Sequence, residues 1–212
     1  RRGADVRLFA ALRANGAVSA GVAVSWFRTY DDLAEMLRVA VPRWKPDMVF
    51  MPAAISDYGP ADPIVGKLDL DEANPVLRLR RLPKLIDTLR PALRRSFLIG
   101  FKQTAGDDFP TAVAKAQAQN ARAHLNLTVL NRVEDNLGGP YTGWICTPEG
   151  GTIPLRGDFA SPHFAVPAEV LYAFANRRRR TTWSRSVLSL DGWDGLGGIL
   201  EPARALAAAV LC

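Results

Sequence analysis

A three-layer α/β fold, built on a mainly parallel, doubly wound sheet with an appended β-hairpin, is the architecture this sequence predicts. Three observations carry it. Short apolar runs that read as buried strands alternate with segments of helical periodicity. Several of those runs stop abruptly on polar residues, as parallel strands do at the carboxyl edge of a sheet. Later in the chain, two strand-like segments flank Pro148-Glu149-Gly150-Gly151, a turn signal.

Taken in order, Arg1-Arg2-Gly3-Ala4-Asp5 reads as a helix end running directly into a strand at Val6-Arg7-Leu8-Phe9. A second strand is expected near Gly21 to Trp26. Thr29 is placed to cap the following helix, which carries Leu33, Met36, Leu37 and Ala40 at helical spacing and is expected to end at Pro42 and Pro46. The apolar run from Met48 to Ile55 is the next strand, and it gives way to Ser56-Asp57. A loop containing Pro60, Pro63 and Gly66 separates it from a strand near Val76 to Arg81, where the alternation Val76-Leu77-Arg78-Leu79-Arg80 predicts one wet face.

Pro83 suits the first turn of a helix bearing Leu85, Ile86 and Leu89 on one side. Ser96 to Phe101 forms a continuous apolar strand that should present Lys102, Gln103 and Thr104 at its carboxyl end. An alanine-rich helix from about Phe109 to Ala123 leads to a strand from Leu125 to Leu130, ending on Asn131. The hairpin strands are Tyr141 to Cys146 and Thr152 to Leu155, and a helix near Pro167 to Ala175 closes the unit. Composition then shifts, with Arg177 to Arg180 in a row, so we expect an α/β domain over 1–176 and a basic, Gly/Ala-rich extension over 177–212. That extension reads as a strand at Ser186 to Leu190, a glycine loop and an alanine-rich helix ending at Leu211.

Composition narrows the function classes. A content of 48% hydrophobic and 23% charged residues is that of a globular protein, not a disordered one. No apolar run reaches the roughly 18 residues of a membrane span and no signal-like segment opens the chain, so a cytoplasmic protein with no membrane partner is expected. Cys146 and Cys212 lack paired spacing, and His124 and His163 lack partners at ligand spacing, so no metal site is assigned. The net charge of +6 gathers at Arg78, Arg80 and Arg81, at Arg94 and Arg95, and at Arg177 to Arg180. Without interleaved aromatics these read as solvated faces or as attraction for a phosphorylated small molecule, and nucleic acid is not expected.

Polar residues at strand ends are the candidate chemistry. Asp57 can accept hydrogen bonds from ribose or base, and Lys67, on the loop beyond it, can neutralise a triphosphate; a turn-capping aspartate and a solvated lysine would look the same. Lys102 would be held at the crevice, either reaching a phosphate or base or snorkelling from the sheet's edge. Asn131 offers a donor and an acceptor at the same edge.

The ordered series Ala53-Ala54-Ile55-Ser56-Asp57-Tyr58, Gly66-Lys67-Leu68, Leu82-Pro83-Lys84-Leu85-Ile86, Gly100-Phe101-Lys102 and Leu130-Asn131 resembles successive signatures of the phosphopantothenate-cysteine ligases of coenzyme A synthesis. That resemblance runs from residue 1 to about 176. It implies a Rossmann-like fold, a homodimer, and a two-step ligation. CTP or ATP, with magnesium, activates the carboxylate of 4'-phosphopantothenate as an acyl nucleotidylate, and the amine of cysteine then displaces the nucleotide. Carried over by motif, Ala54, Asp57, Phe101 and Lys102 would contact nucleotide, Lys67 would bind it and stabilise charge during acyl-nucleotide formation, and Asn131 would face substrate. The chain departs from the pattern at Lys67-Leu68-Asp69-Leu70-Asp71, where bacterial members carry several lysines, at Thr104, usually glutamate, and at Asn126, commonly aspartate. The family's opening strand, its glycine-containing phosphate turn and a downstream asparagine would lie before Arg1, so a truncated member is expected.

Two other readings stay open on the sequence. An NAD-dependent oxidoreductase would share the architecture, although no G-x-G-x-x-G follows the first strand and the position four after Tyr58 is Asp62, not lysine. A catalytically inactive nucleotide-binding relative would keep the fold and the thinned lysine loop.

Overall fold

The computed structural model describes residues 5–11, 22–63, 76–137, 141–157 and 204–209. Its main sheet has eight strands. In chain order these are β1 (Asp5–Ala11), β2 (Ala23–Phe27), β3 (Met48–Met51), β6 (Phe97–Thr104), β7 (Leu127–Arg132), β8 (Tyr141–Cys146), β9 (Thr152–Gly157) and β10 (Arg204–Ala209). The spatial order is β2-β1-β10-β3-β6-β7-β8-β9, parallel as far as β7 and antiparallel through the hairpin β8-β9. Two further strands, β4 (Tyr58–Pro60) and β5 (Leu79–Arg81), form a separate antiparallel ribbon. This is the Rossmann-like α/β arrangement that alternating strands and helices imply.

Helix α1 (Tyr30–Trp44) starts where Thr29 predicts. The Thr29 hydroxyl accepts from the backbone N–H of Asp32 at 3.1 Å, and the Asp32 carboxylate accepts in return from the N–H groups of Arg28 and Thr29. It does not end at Pro42. The helix runs on to Trp44 and stops at Lys45, whose φ of 52° turns the chain left-handed while its N–H returns to the Val41 carbonyl. Leu33, Leu37, Val41 and Trp44 are buried at helical spacing, and their packing holds the last turn despite the one N–H that proline cannot donate.

The segment after Pro83 divides into a short 3-10 turn (Leu85–Thr88) and a single turn of helix, α2 (Leu89–Ala92). Helix α3 (Phe109–Ala123) matches its predicted span, with Asp108 accepting from the Thr111 N–H at 2.9 Å as its cap. Leu33, Leu37 and Val41 of α1 pack with Leu85, Leu89 and Leu93 on Val49, Met51 and Leu98, while Ala112 and Ala116 of α3 meet Leu130 and Cys146. Because side chains alternate along a strand, all these helices sit on one face of the sheet. Met48, Ile99, Leu127, Val129 and Ile145 form a second cluster on the other. The helix expected near 167–175, the strand at 186–190 and the arginine run 177–180 lie outside the described residues.

Buried polar groups pin this arrangement. Asn120 donates to the Cys146 carbonyl at 2.9 Å and accepts from the Thr128 hydroxyl at 2.7 Å, which fixes α3 on β7 and β8. The Arg90 guanidinium donates to the carbonyls of His124, Leu93 and Ser96 and to the Asn126 side chain, joining α2 to the loops that lead into β6 and β7.

Other readings also differ from the structure. The run from Met48 to Ile55 is strand only to Met51, since Pro52 cannot continue a ladder. β6 extends to Thr104, so Lys102 and Gln103 lie within the strand and pair with Leu130 and Asn131 of β7. Tyr58–Pro60, read as loop, is a strand paired with Leu79–Arg81. The alanine-rich segment near the end, read as helix, is the strand β10, inserted in parallel between β1 and β3. Among the described residues, no helix is long and apolar enough to cross a membrane.

Candidate functional site

Where β3 and β6 end, the chain opens a cleft of about 210 Å³. Its walls come from four places. Met51, Ala53, Ala54, Ile55, Ser56 and Asp57 follow β3; Pro83, Lys84, Leu85 and Ile86 lead into the 3-10 turn; Phe101, Lys102 and Gln103 belong to β6; Gln119 and Arg122 come from α3. A crevice at the carboxyl ends of parallel strands is the usual ligand position in such sheets.

Local chemistry shapes each wall. Beyond Pro52, the Ile55 N–H returns to the Ala53 carbonyl at 3.1 Å, and the Ser56 hydroxyl both accepts from the Tyr58 N–H and donates to its carbonyl. Asp57 is thereby delivered to the rim. Behind the cleft, Gly100 leaves room for two side-chain ends, since a Cβ there would stand 2.6 Å from both Gln119 Nε2 and Leu125 Cδ1 and would make them shift. Gln119 uses that space to donate to the Phe101 carbonyl at 3.3 Å. Arg122 donates to both Asp87 carboxylate oxygens at 3.0 and 3.1 Å, tying α3 to the 3-10 turn.

Among the described residues, the electrostatics of the cleft are one-sided, with Lys84, Lys102 and Arg122 on its walls against the one carboxylate of Asp57. Lys84 Nζ donates to Asp57 Oδ1 at 2.7 Å. That hydrogen bond, more than the attraction of Lys84, Lys102 and Arg81 behind it, holds the Asp57 carboxyl below the usual carboxylate range in spite of some desolvation. A concave surface with excess positive charge and one acceptor at its rim suits an anionic ligand that also carries hydrogen-bond donors.

Of the residues singled out by sequence, Ala54, Asp57, Phe101 and Lys102 share this cleft. Lys67 lies outside the described residues. Asn131 is not among the cleft's lining residues; it stands at the end of β7, where the Tyr141 hydroxyl donates to its Oδ1. Burial pushes that hydroxyl up to about 12. Cys146 is buried, and burial raises its thiol to about 11, as suits a packing residue. Lys84, Gln119 and Arg122 were not singled out for a role. Lys84 stood inside a quoted motif, but its partner Asp57 is 27 residues away, and only the β4-β5 ribbon brings them together.

Residues 1–140 match the family described as the DNA/pantothenate metabolism flavoprotein C-terminal domain. The chain is 30% identical over 106 residues to the coenzyme A biosynthesis bifunctional protein CoaBC of Methanocaldococcus jannaschii, a match covering 50% of this chain and 26% of that protein. It thus spans about a quarter of that relative's length. Among solved structures, the DNA/pantothenate metabolism flavoprotein from Streptococcus pneumoniae superposes with a TM-score of 0.67 at 16% identity, covering 82% of this chain and 81% of that one. The C-terminal domain of a CoaBC protein gives 0.63 at 19% identity, covering 84% and 76%. A Cab2 mutant in complex with phosphopantothenate-cysteine gives 0.61 at 15% identity, covering 76% and 55%.

Proposed function

The chain belongs to the DNA/pantothenate metabolism flavoprotein C-terminal domain family, and on that premise we propose that it is a ligase of coenzyme A biosynthesis, joining 4'-phosphopantothenate to cysteine. The observation that carries the reading is the cleft itself, where Ala54, Asp57, Phe101 and Lys102 of the family-like motifs converge beside a surplus of positive charge. Support also comes from the complex of the similar Cab2 fold with phosphopantothenate-cysteine.

In this reading the nucleotide, CTP or ATP, lies against Phe101 with Asp57 accepting from its sugar or base and Lys102 facing its phosphates. The carboxylate of 4'-phosphopantothenate attacks the α-phosphorus and pyrophosphate leaves, giving an acyl nucleotidylate. The amine of cysteine then attacks the acyl carbon, and the nucleoside monophosphate departs. Both steps either bring anions together or expel one, so positioning and charge neutralisation are the chain's main contributions. Lys67 is the residue we assign to charge stabilisation in the first step, and Asn131, held by Tyr141, to the substrate side. Among the described residues, no group of three His, Cys, Asp or Glu side chains is placed to hold a metal ion. Magnesium is assigned to the triphosphate it would accompany.

We carry the homodimer over with the same reading. The β4-β5 ribbon and the residues leading into β5 support it, since Tyr58 and Leu79 of the ribbon and Val76 and Leu77 just before it are large, apolar and more than half exposed. The ligase-like unit, expected over 1–176, also takes in β10 (Arg204–Ala209), because that strand pairs with both β1 and β3; a cytoplasmic setting belongs to the proposal too.

The test is pyrophosphate release from CTP and from ATP, each with 4'-phosphopantothenate, magnesium and cysteine, alongside the mass of the species in solution. Release that depends on 4'-phosphopantothenate is expected, with one nucleotide preferred. Lys67→Ala should slow it about a hundredfold, the equivalent of roughly 3 kcal/mol in the transition state, and Lys102→Ala should act chiefly on nucleotide affinity. Binding without release would favour the inactive relative; neither binding nor release would sink the proposal.

A further inference from the structure

We infer that Lys84 is a positioning residue of the cleft: by holding Asp57 Oδ1 it fixes the carboxylate so that Oδ2 is the oxygen offered to donor groups of a bound nucleotide. The inference rests on the nucleotide reading above and assigns a residue that the motif comparison left without a role.

The main chain brings the two residues together before their side chains meet. The Asp57 carbonyl accepts from the Leu82 N–H at 2.8 Å, continuing the β4-β5 ladder by one bond. Pro83 is anchored to α1, its carbonyl accepting from the Tyr30 hydroxyl at 2.5 Å. The Lys84 carbonyl accepts from the Asp87 N–H at 3.0 Å, and Leu82 and Leu85 on either side are buried. Lys84 therefore has a fixed backbone, and its freedom is confined to a side chain that lines the cleft.

Stability alone is a poor reason for the pair. The Lys84 and Asp57 side chains keep 32% and 53% of their surface in solvent, and an ion pair so exposed contributes little to folding. Its consequence is orientational. Among the described residues, Lys84, Lys102 and Arg81 act on Asp57 as cations, and of these Lys84 also donates a hydrogen bond to it. Among the described residues, Oδ2 receives no hydrogen bond. A carboxylate only accepts, so the groups it can recognise are hydroxyls and amines, such as those of a ribose or a base, and not phosphates. Lys84 thus serves the nucleoside end of the ligand through Asp57, while Lys102 remains for the anionic end.

A binding cycle on the full chain tests this with CTP, ATP and inorganic tripolyphosphate as probes. Lys84→Met and Asp57→Asn should each weaken the preferred nucleotide by about tenfold, the loss of one hydrogen bond to a charged group. The double variant should lose no more than either single one, because both changes remove the same contact. Lys84→Arg should retain most of the affinity, and tripolyphosphate, which has no donor for Asp57, should lose distinctly less on Lys84→Met than the nucleotide does, with the residual loss shrinking as salt rises. In the parent, nucleotide affinity should persist below the usual carboxylate range, and in Lys84→Met its acid limb should move up toward that range.

Additive losses in the double variant, or a loss for tripolyphosphate as large as that for nucleotide, would show Lys84 to be a direct phosphate contact and overturn the inference. So would an unmoved acid limb with unaltered nucleotide affinity. A parent chain that binds neither CTP nor ATP would instead remove the nucleotide reading on which the inference stands.

Discussion

Gly143 shows how a single missing side chain can shape a site's surroundings. It sits in β8, and an added Cβ would stand 2.5 Å from the Tyr141 hydroxyl oxygen, 2.9 Å from the ring carbon that bears it and 3.0 Å from the Leu130 carbonyl. The Tyr141 ring crosses the space over Gly143 to reach Asn131, and the Leu130 carbonyl belongs to the neighbouring strand and cannot swing away. Gly143→Ala should therefore expel the ring or part β7 from β8, at about 1–3 kcal/mol for overpacking. A lowered denaturation midpoint would register the cost. The tyrosine's absorbance titration, pushed up to about 12 by burial, would move back toward its ordinary value near 10. An unchanged titration would show that the ring does not depend on the glycine. The sequence made Asn131 legible as a polar strand end. It could not disclose the partner that occupies its oxygen, because Tyr141 reaches it across a hairpin and through a gap no pattern marks. The same limit hid Lys84, whose motif was visible while its ion pair depended on two strands closing into a ribbon.

At the scale of elements, local chemistry was the more legible part, and α1 shows both its reach and its limit. Thr29 announced the helix start because a threonine side chain satisfies a backbone N–H that the helix leaves open. Pro42 was read as a stop and is not one, since its cost is met by tertiary burial of Val41 and Trp44 that periodicity alone does not weigh. The cap carries a pH dependence. The Asp32 carboxyl is held below its ordinary 3.8 chiefly by the N–H groups of Arg28 and Thr29. A depressed carboxylate adds stability that is complete above the unfolded-chain value and disappears as the pH falls through the lower folded one. Thr29→Ala should cost about 1 kcal/mol at neutral pH. Asp32→Asn should be less stable than the parent near pH 7 and converge with it in acid, as chemical denaturation across that range would reveal. A gap that persisted at pH 2 would assign the effect to packing instead.

At the scale of the whole molecule, sheet continuity depends on the segment whose reading failed most completely. Ala205, Leu206, Ala207, Ala208 and Ala209 suggested a helix because alanine favours helices and is depleted in strands. Yet propensity is a weak prior against a slot between two parallel strands, and β10 fills that slot. It pairs from Asp5↔Arg204 to Ala10↔Ala209 on one side and from Ala205↔Met48 to Ala207↔Phe50 on the other. Among the described residues, β1 and β2 join the ladder of the sheet only through β10. The cleft, by contrast, is built from β3, β6, the 3-10 turn and α3, all on the far side of that strand. Removing residues 204–212 should therefore divide the sheet's behaviour. Amide protection in β1 should fall toward that of a two-stranded ribbon held by β2 alone, while β6 and β7, which pair with each other, should keep most of theirs. Nucleotide affinity, if the proposed function holds, should decline less than stability does, because no wall of the cleft is lost. Hydrogen exchange followed residue by residue distinguishes the outcomes. A uniform loss of protection would mean that β10 holds one indivisible cooperative unit together, and unchanged protection in β1 would mean that its ladder to β10 contributes nothing in solution.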